Sequence, residues 1–206
     1  MSEQPLEQAP DQPTAGLIVT GEVTVGFPAQ RTGYGAATYG NTQPQTQTAT
    51  WLIVHSEGNV TAFAGKVEYG QGIRWGLSVE VADELRLPLD RVEMVLGDTG
   101  RVPWDIGTFG SQSTARVGLQ LRKAAATARR KLLELATDRL DLPASDLRCS
   151  DGKVVASGDA AGGVEYAELL GDERIEVALV DDIELRRSPS SPSWAKRRGA
   201  STPSRG

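Results

Sequence analysis

Two short stretches of this chain carry the residue types that ligand chemistry needs. The first is Tyr69-Gly-Gln-Gly-Ile-Arg-Trp-Gly76, placed between a β-prone run and an amphipathic one. Gly70 and Gly72 allow backbone conformations and close approaches that side chains forbid. The amides that open the following helix carry partial positive charge, so an anionic or oxo-rich ligand suits the place. Gln71 adds a neutral carboxamide that both donates and accepts. A plain glycine turn with no ligand is the alternative that spacing leaves open. The second stretch is Gly107-Thr-Phe-Gly-Ser-Gln-Ser-Thr114, which leads into a long helix. Thr108, Ser111, Gln112, Ser113 and Thr114 put hydroxyls and an amide beside another helix start. Helix capping accounts for one of these groups and leaves the rest to be explained by binding.

Other chemistry-bearing residues point to less. His55 is the only histidine and Cys149 the only cysteine, which excludes an intramolecular disulfide and any zinc module built on Cys and His. His55 reads as structural or exposed, and Cys149 as an inert thiol. Asp98 and Asp105 form a candidate carboxylate pair, although loop acids are commonly just solvated and nothing nearby supplies a raised pKa. Glu80, Asp83 and Glu84 are expected on the wet face of a first helix, and Arg129-Arg-Lys131 on that of a second.

Several spans must position these groups. Trp51–Ser56 and Val60–Ala64 flank Glu57-Gly-Asn59, a hairpin signal, with the second run continuing to Glu68. Ile73, Leu77, Val81 and Leu85 recur every four residues and predict a helix that stops before Pro88. Arg91–Gly97 reads as a strand, Asp98–Gly110 as a loop and Ser111 to about Asp141 as a long helix. Leu147–Cys149 and Lys153–Val155 flank a second turn, Val164–Leu170 is a short helix and Arg174–Leu179 a last strand. One further strand is available at Leu17–Val25. The order predicts an α+β fold, a mixed sheet covered by two amphipathic helices.

The 206 residues are 39% hydrophobic and 24% charged, which argues against wholesale disorder. Residues 1–50 are polar, carry only five charges and are expected to be mostly disordered. The charge is uneven: residues 1–185 carry a net −11, whereas 186–206 hold six bases and no acid. An acidic body disfavours nucleic acid as a partner. No apolar run is long enough for a membrane span, and no secretory signal opens the chain.

A resemblance adds what spacing cannot. Val60-Thr-Ala-Phe-Ala-Gly-Lys-Val-Glu-Tyr-Gly-Gln-Gly-Ile-Arg74, the run from Ala82 to Thr99, the loop Gly107–Thr114 and Leu121-Arg-Lys-Ala-Ala125 together resemble one family. It is that of the molybdenum-cofactor-binding large subunits of xanthine dehydrogenase and aldehyde oxidase, of the isoquinoline 1-oxidoreductase or nicotinate dehydrogenase type. The resemblance implies that 51–183 is a fragment of a molybdopterin-binding domain, between a polar head (1–50) and a basic disordered tail (184–206). It implies that Gln71, flanked by Gly70 and Gly72, hydrogen-bonds an oxo ligand of the molybdenum centre. Thr108, Gly110, Ser111, Gln112 and Ser113 would lie along the pterin dinucleotide, of the cytosine form.

The implied reaction is hydroxylation of a ring carbon next to nitrogen, or of an aldehyde. Oxygen comes from water, and electrons leave through a separate [2Fe-2S] subunit. The implied partners are that subunit, the remaining part of the large subunit and a small-molecule substrate. Family large subunits are several times longer and carry a catalytic glutamate near their far end, so this chain alone is expected to be inactive. Its tail is expected to be truncated or frameshifted, and translation of the downstream DNA in the other frames would show family-like sequence. The expected compartment is the cytoplasm, although some relatives are exported. The contrasting class is a non-catalytic module that binds a partner or a nucleotide-like ligand through the same glycine turns. A nicotinamide-binding domain fits poorly, since Gly70-x-Gly72-x-x-x-Gly76 departs from the usual spacing.

Overall fold

A computed structural model describes residues 13–25, 45–159 and 162–186. Its main sheet has five strands: β1 (Gly16–Val25), β2 (Gln45–Val54), β3 (Val60–Ala64), β4 (Val92–Leu96) and β8 (Arg174–Ala178). Their order is β4-β3-β2-β1-β8. β2 runs antiparallel to β1 and β3, whereas β3/β4 and β1/β8 are parallel. A parallel β3/β4 pair needs a crossover, and helix α1 (Ile73–Leu85) provides it. The long helix α2 (Leu119–Leu140) follows β4. A second sheet of β5 (Leu147–Ser150), β6 (Lys153–Ala156) and β7 (Val164–Glu165) precedes the short helix α3 (Tyr166–Leu170). The fold is therefore α+β, as the element order predicts.

The β2–β3 hairpin turns at Gly58, whose φ of 83° needs glycine, and the β5–β6 hairpin turns at Asp151 and Gly152, both at positive φ. Core residues alternate along β1 and β2. Leu17, Val19, Leu52 and Val54 face Leu77, Val81 and Leu85 of α1 and Leu121, Ala125, Ala128 and Leu132 of α2. The alanines let α2 lie close to the sheet. Ile18, Ile53, Phe63 and Val95 form a smaller cluster with Val102 from the loop after β4. Arg101 of that loop lies over the Phe63 ring, 5.9 Å from its centroid.

Several expectations change. In the described part of residues 1–50, β1 is the strand available at Leu17–Val25, whereas β2 begins at Gln45, before the expected start at Trp51. These Thr/Gln-rich strands sit among partners that satisfy every other backbone group, so low local hydrophobicity does not prevent order there. Residues 1–12, 26–44 and 187–206 lie outside the described part, and with them the expected disorder of the head's remainder and of the tail.

Residues 184–186, expected in the tail, are tied down. The Arg186 N–H donates to Glu84 Oε1 (3.0 Å), while Arg122 and Arg129 donate to the carbonyls of Arg186 (2.6 Å) and Glu184 (2.9 Å). Glu84 is 0% exposed and also binds Arg122 (3.1 Å) and Arg129. It does not lie on a wet face. A carboxylate sealed between two helices needs opposite charge, and two arginines of α2 with the crossing chain supply it.

Glu80 faces α2 as well. Its Oε2 is buried with no hydrogen-bond partner among the described residues, and a Cβ at Gly118 would collide with its carboxyl. Burial pushes the Glu80 carboxyl above its ordinary value, opposed by the Arg122 charge. A raised folded-state pKa gives stability that is complete below the unfolded value of 4.5 and is lost as pH rises through the folded one. Glu80→Gln is therefore expected to raise the thermal midpoint at pH 7. The gain over wild type should shrink as pH falls from neutral through the raised folded-state pKa and be gone below about 4.5, which unfolding scans across pH would show.

Candidate functional site

Both glycine-bearing loops emerge at one end of the sheet, where the parallel strands β3 and β4 finish. β3 stops at Ala64 instead of continuing to Glu68. The cause is Gly65, where a Cβ would press into the Pro103 carbonyl oxygen and stand 2.6 Å from Asp105 Cβ. This close approach brings the second loop against the first. Lys66, 6% exposed, then clamps them. Its Nζ donates to Asp105 Oδ1 (2.6 Å) and to the Gly107 carbonyl (2.9 Å), and Asp105 Oδ1 accepts the Gly107 N–H (2.7 Å). Asp105 is thus an anchor paired with lysine. Asp98 accepts the Gly100 N–H at 3.1 Å within its own turn, so the two aspartates do not work as a carboxylate pair.

In the first loop Gly70 and Gly72 have φ of 106° and 79°, and nothing stands within 4 Å of where a Cβ would lie on either. The backbone there is open to approach. The amides expected to receive an anion already have one. Glu68 Oε1 accepts the N–H groups of Gly70 (2.7 Å) and Gly72 (3.1 Å), and Oε2 accepts that of Arg74 (3.0 Å). These bonds hold the Glu68 carboxyl below its ordinary range, although the residue is only partly covered. Its contribution to stability is therefore present at neutral pH and is lost as pH falls through the lowered value. Gln71 is exposed and folded over the same turn, with Oε1 accepting the Tyr69 N–H (2.9 Å) and Nε2 donating to the Val67 carbonyl (2.8 Å).

In the second loop Gly107, Gly110 and Ser111 have positive φ, 115°, 62° and 56°. Thr108, Gly110, Ser111 and Gln112 are exposed and Ser113 is partly so. The Thr108 and Ser113 hydroxyls lie 2.7 Å apart, tying the two ends of the loop together. The helix after it does not start as an α-helix. Ser113–Gly118 forms a π-turn with no side-chain cap, a wide geometry that recurs at functional sites. The expected side-chain cap is absent at this helix start, and Ser111, Gln112 and Thr114 lie exposed beside it.

Exposed aromatics surround both loops: Tyr69 is 81% exposed, Trp75 66% and Phe109 67%. The other candidates lie elsewhere. His55 sits at the far end of β3, bonded to Thr61 Oγ1 at 2.8 Å beside a shallow polar depression of about 350 Å³. Cys149 is buried, and burial pushes its thiol pKa up. Among the described residues no group of three His, Cys, Asp or Glu could hold a metal ion, and no helix is long and apolar enough to cross a membrane.

Sequence reasoning missed Lys66 and Glu68. A lysine inside a β-prone run, and a glutamate two and four residues before the glycines of a helix start, were the available signals.

Comparison with known proteins bears on these loops directly. Residues 15–203 match the family model of the molybdopterin cofactor-binding domain. A nicotinate dehydrogenase subunit of Pseudomonas putida is 41% identical over 145 residues, covering 70% of this chain and 12% of that one. The beta subunit of isoquinoline 1-oxidoreductase from Brevundimonas diminuta is 33% identical over 132 residues, 61% of this chain and 17% of that one. The crystal structure of quinoline 2-oxidoreductase from Pseudomonas putida 86 superposes with a TM-score of 0.52 at 27% identity, over 57% of this chain and 15% of that chain. The chain spans less than a fifth of the length of these relatives. With both glycine loops inside the matched span, the chain belongs to the molybdopterin cofactor-binding domain family, as a region of the large subunits of molybdenum hydroxylases.

Proposed function

We propose that this chain holds the molybdopterin cofactor of a molybdenum hydroxylase between its two glycine-bearing loops, for hydroxylation of N-heteroaromatic or aldehyde substrates. The observation that carries the reading is the Lys66 clamp. It joins the Gln71 turn to the Gly107–Ser113 loop through Asp105 and the Gly107 carbonyl, so two stretches some forty residues apart form one open wall. That wall fits the group: glycines leave room beside it, hydroxyls and amides can meet phosphate and pterin edges, and one neutral carboxamide stands beside the metal end.

Bound there, the cofactor supplies two-electron oxidation with oxygen taken from water. Gln71 donates a hydrogen bond without neutralising charge. Thr108, Ser111, Gln112 and Ser113, with the backbone at Gly110, hold the dinucleotide end. The exposed Tyr69, Trp75 and Phe109 are covered by the remaining part of the large subunit, and electrons leave through a [2Fe-2S] subunit. Alone, the chain is inactive, since the general base belongs to another part of the large subunit.

Co-expression with the downstream coding region and an iron–sulfur partner tests the reading by metal analysis of the purified complex. Stoichiometric molybdenum is expected. A complex that assembles without molybdenum would leave a non-catalytic binding module as the function. In the loaded complex Gln71→Ala is expected to lower turnover about 10–100-fold, the range for removing a partner outside the metal's own ligands.

A further inference from the structure

The segment from Val67 to Arg74 closes on itself. Glu68 takes three backbone N–H groups with its two oxygens, while Gln71 takes one N–H and gives one to a carbonyl. None of these atoms is sealed from water, so burial does not hold the turn in shape. The hydrogen bonds and the two positive-φ glycines do. A carboxylate against a helix N-terminus is the favourable sign, and its bonds are of the charge-assisted, stronger kind.

A second consequence concerns what remains. The carboxamide of Gln71 has two N–H donors, one of which is given to Val67. Its oxygen is fixed toward the Tyr69 N–H, which settles which end of the amide is nitrogen. The Gln71 side chain therefore keeps one uncommitted N–H, whereas the backbone donors at Gly70, Gly72 and Arg74 are taken. An anion approaching the start of α1 meets a carboxylate in its place.

We infer that Glu68 is a positioning residue that fills the anion cradle of α1, excludes phosphate-like groups from this loop and leaves the Gln71 amide as the donor facing the ligand. The inference rests on the proposed cofactor site, and it divides the labour there. Anionic parts of the ligand are turned toward the Gly107–Ser113 loop, and a neutral or weakly charged acceptor oxygen is turned toward Gln71.

The test uses the full chain labelled for NMR, as wild type, Glu68→Ala and Glu68→Gln, with inorganic sulfate as the probe. In wild type, sulfate is expected to leave the Gly70, Gly72 and Arg74 amides unmoved. In Glu68→Ala the same amides should shift saturably, a gain of binding that mere loosening would not produce. Hydrogen exchange at Gly70 and Gly72 should rise about tenfold or more in Glu68→Ala, as expected for losing a hydrogen bond to a charged group. Glu68→Gln, which keeps an acceptor without the charge, should fall between and serves if the alanine variant does not fold. Equal sulfate responses in wild type and variants would overturn the inference. The readout needs no molybdenum, so it is separable from the cofactor reading. Sulfate gain in the variant with no metal uptake by the assembled complex would sink only the latter.

Discussion

Glu84→Ala is expected to lower the unfolding free energy by about 3–5 kcal/mol, the usual cost of removing one partner of a buried charge pair. Glu84 is 0% exposed and is bound by Arg122 and Arg129 of α2 and by the N–H of Arg186. Removing the carboxylate leaves two guanidinium groups without their counter-charge at the α1–α2 contact. It also frees the chain crossing at residues 184–186. Urea unfolding of the full chain measures the loss. Arg130→Ala on α2 is the control, since Arg130 is half exposed and meets Glu134 only at 3.6 Å. Such a surface pair is worth about 0.3–0.5 kcal/mol. Similar costs for the two variants would mean that the Glu84 cluster is solvated, contrary to the structure.

Gly65→Ala is expected to lower stability and to disable the site together. The added methyl group would press into the Pro103 carbonyl oxygen and lie 2.6 Å from Asp105 Cβ, and neither neighbour is the free end of a flexible side chain. The backbone of the second loop has to move. Overpacking of this kind costs about 1–3 kcal/mol, which for a chain of this size lowers the thermal midpoint by about 2–4 °C per kcal/mol. The functional effect is larger than the stability effect implies. Displacing Asp105 breaks the alignment of Lys66 with Asp105 Oδ1 and the Gly107 carbonyl, the three groups that hold the two loops together. In the assembled complex the variant should therefore lose molybdenum content while its circular dichroism stays near that of wild type. A variant that folds and loads with metal as wild type does would show that loop spacing is not set at Gly65.

Much of the fold follows from local pattern. The two hairpins turn where glycine beside a polar residue permits positive φ, and α1 ends at Leu85, as the four-residue apolar spacing and the following Pro88 require. The long helix is legible from Val117, Leu121, Ala124, Ala128 and Leu132, but its first turn is not. Nothing in the residue types of Ser113–Gly118 separates a π-turn from an α-turn, and the close packing of Gly118 on Glu80 of the other helix is a contact that only the fold makes. Glu84 departs from the expected wet face for a similar reason. Periodicity finds the apolar stripe of a helix, whereas the width of its buried face depends on what packs over it. Arg122 and Arg129, seven residues apart and interleaved with core residues of α2, were the one local sign that this face meets a buried acid.

By itself the sequence determined the order of strands and helices, the two glycine-bearing loops and the resemblance that the family match bears out. Each depends on residue types within a few positions of one another. Only the tertiary structure decided that the loops share one edge through Lys66 and that Glu84 is sealed between helices. The start of α1 being filled by Glu68 also emerged only there, because the choice between an outside anion and a neighbouring carboxylate is a matter of geometry. Two arginine charges 38 and 45 residues away and a backbone N–H 102 residues away meet at Glu84, and residues 39 and 41 apart meet at Lys66. Such encounters have no local signature, since closing the chain around a sheet is what sets the distances between them.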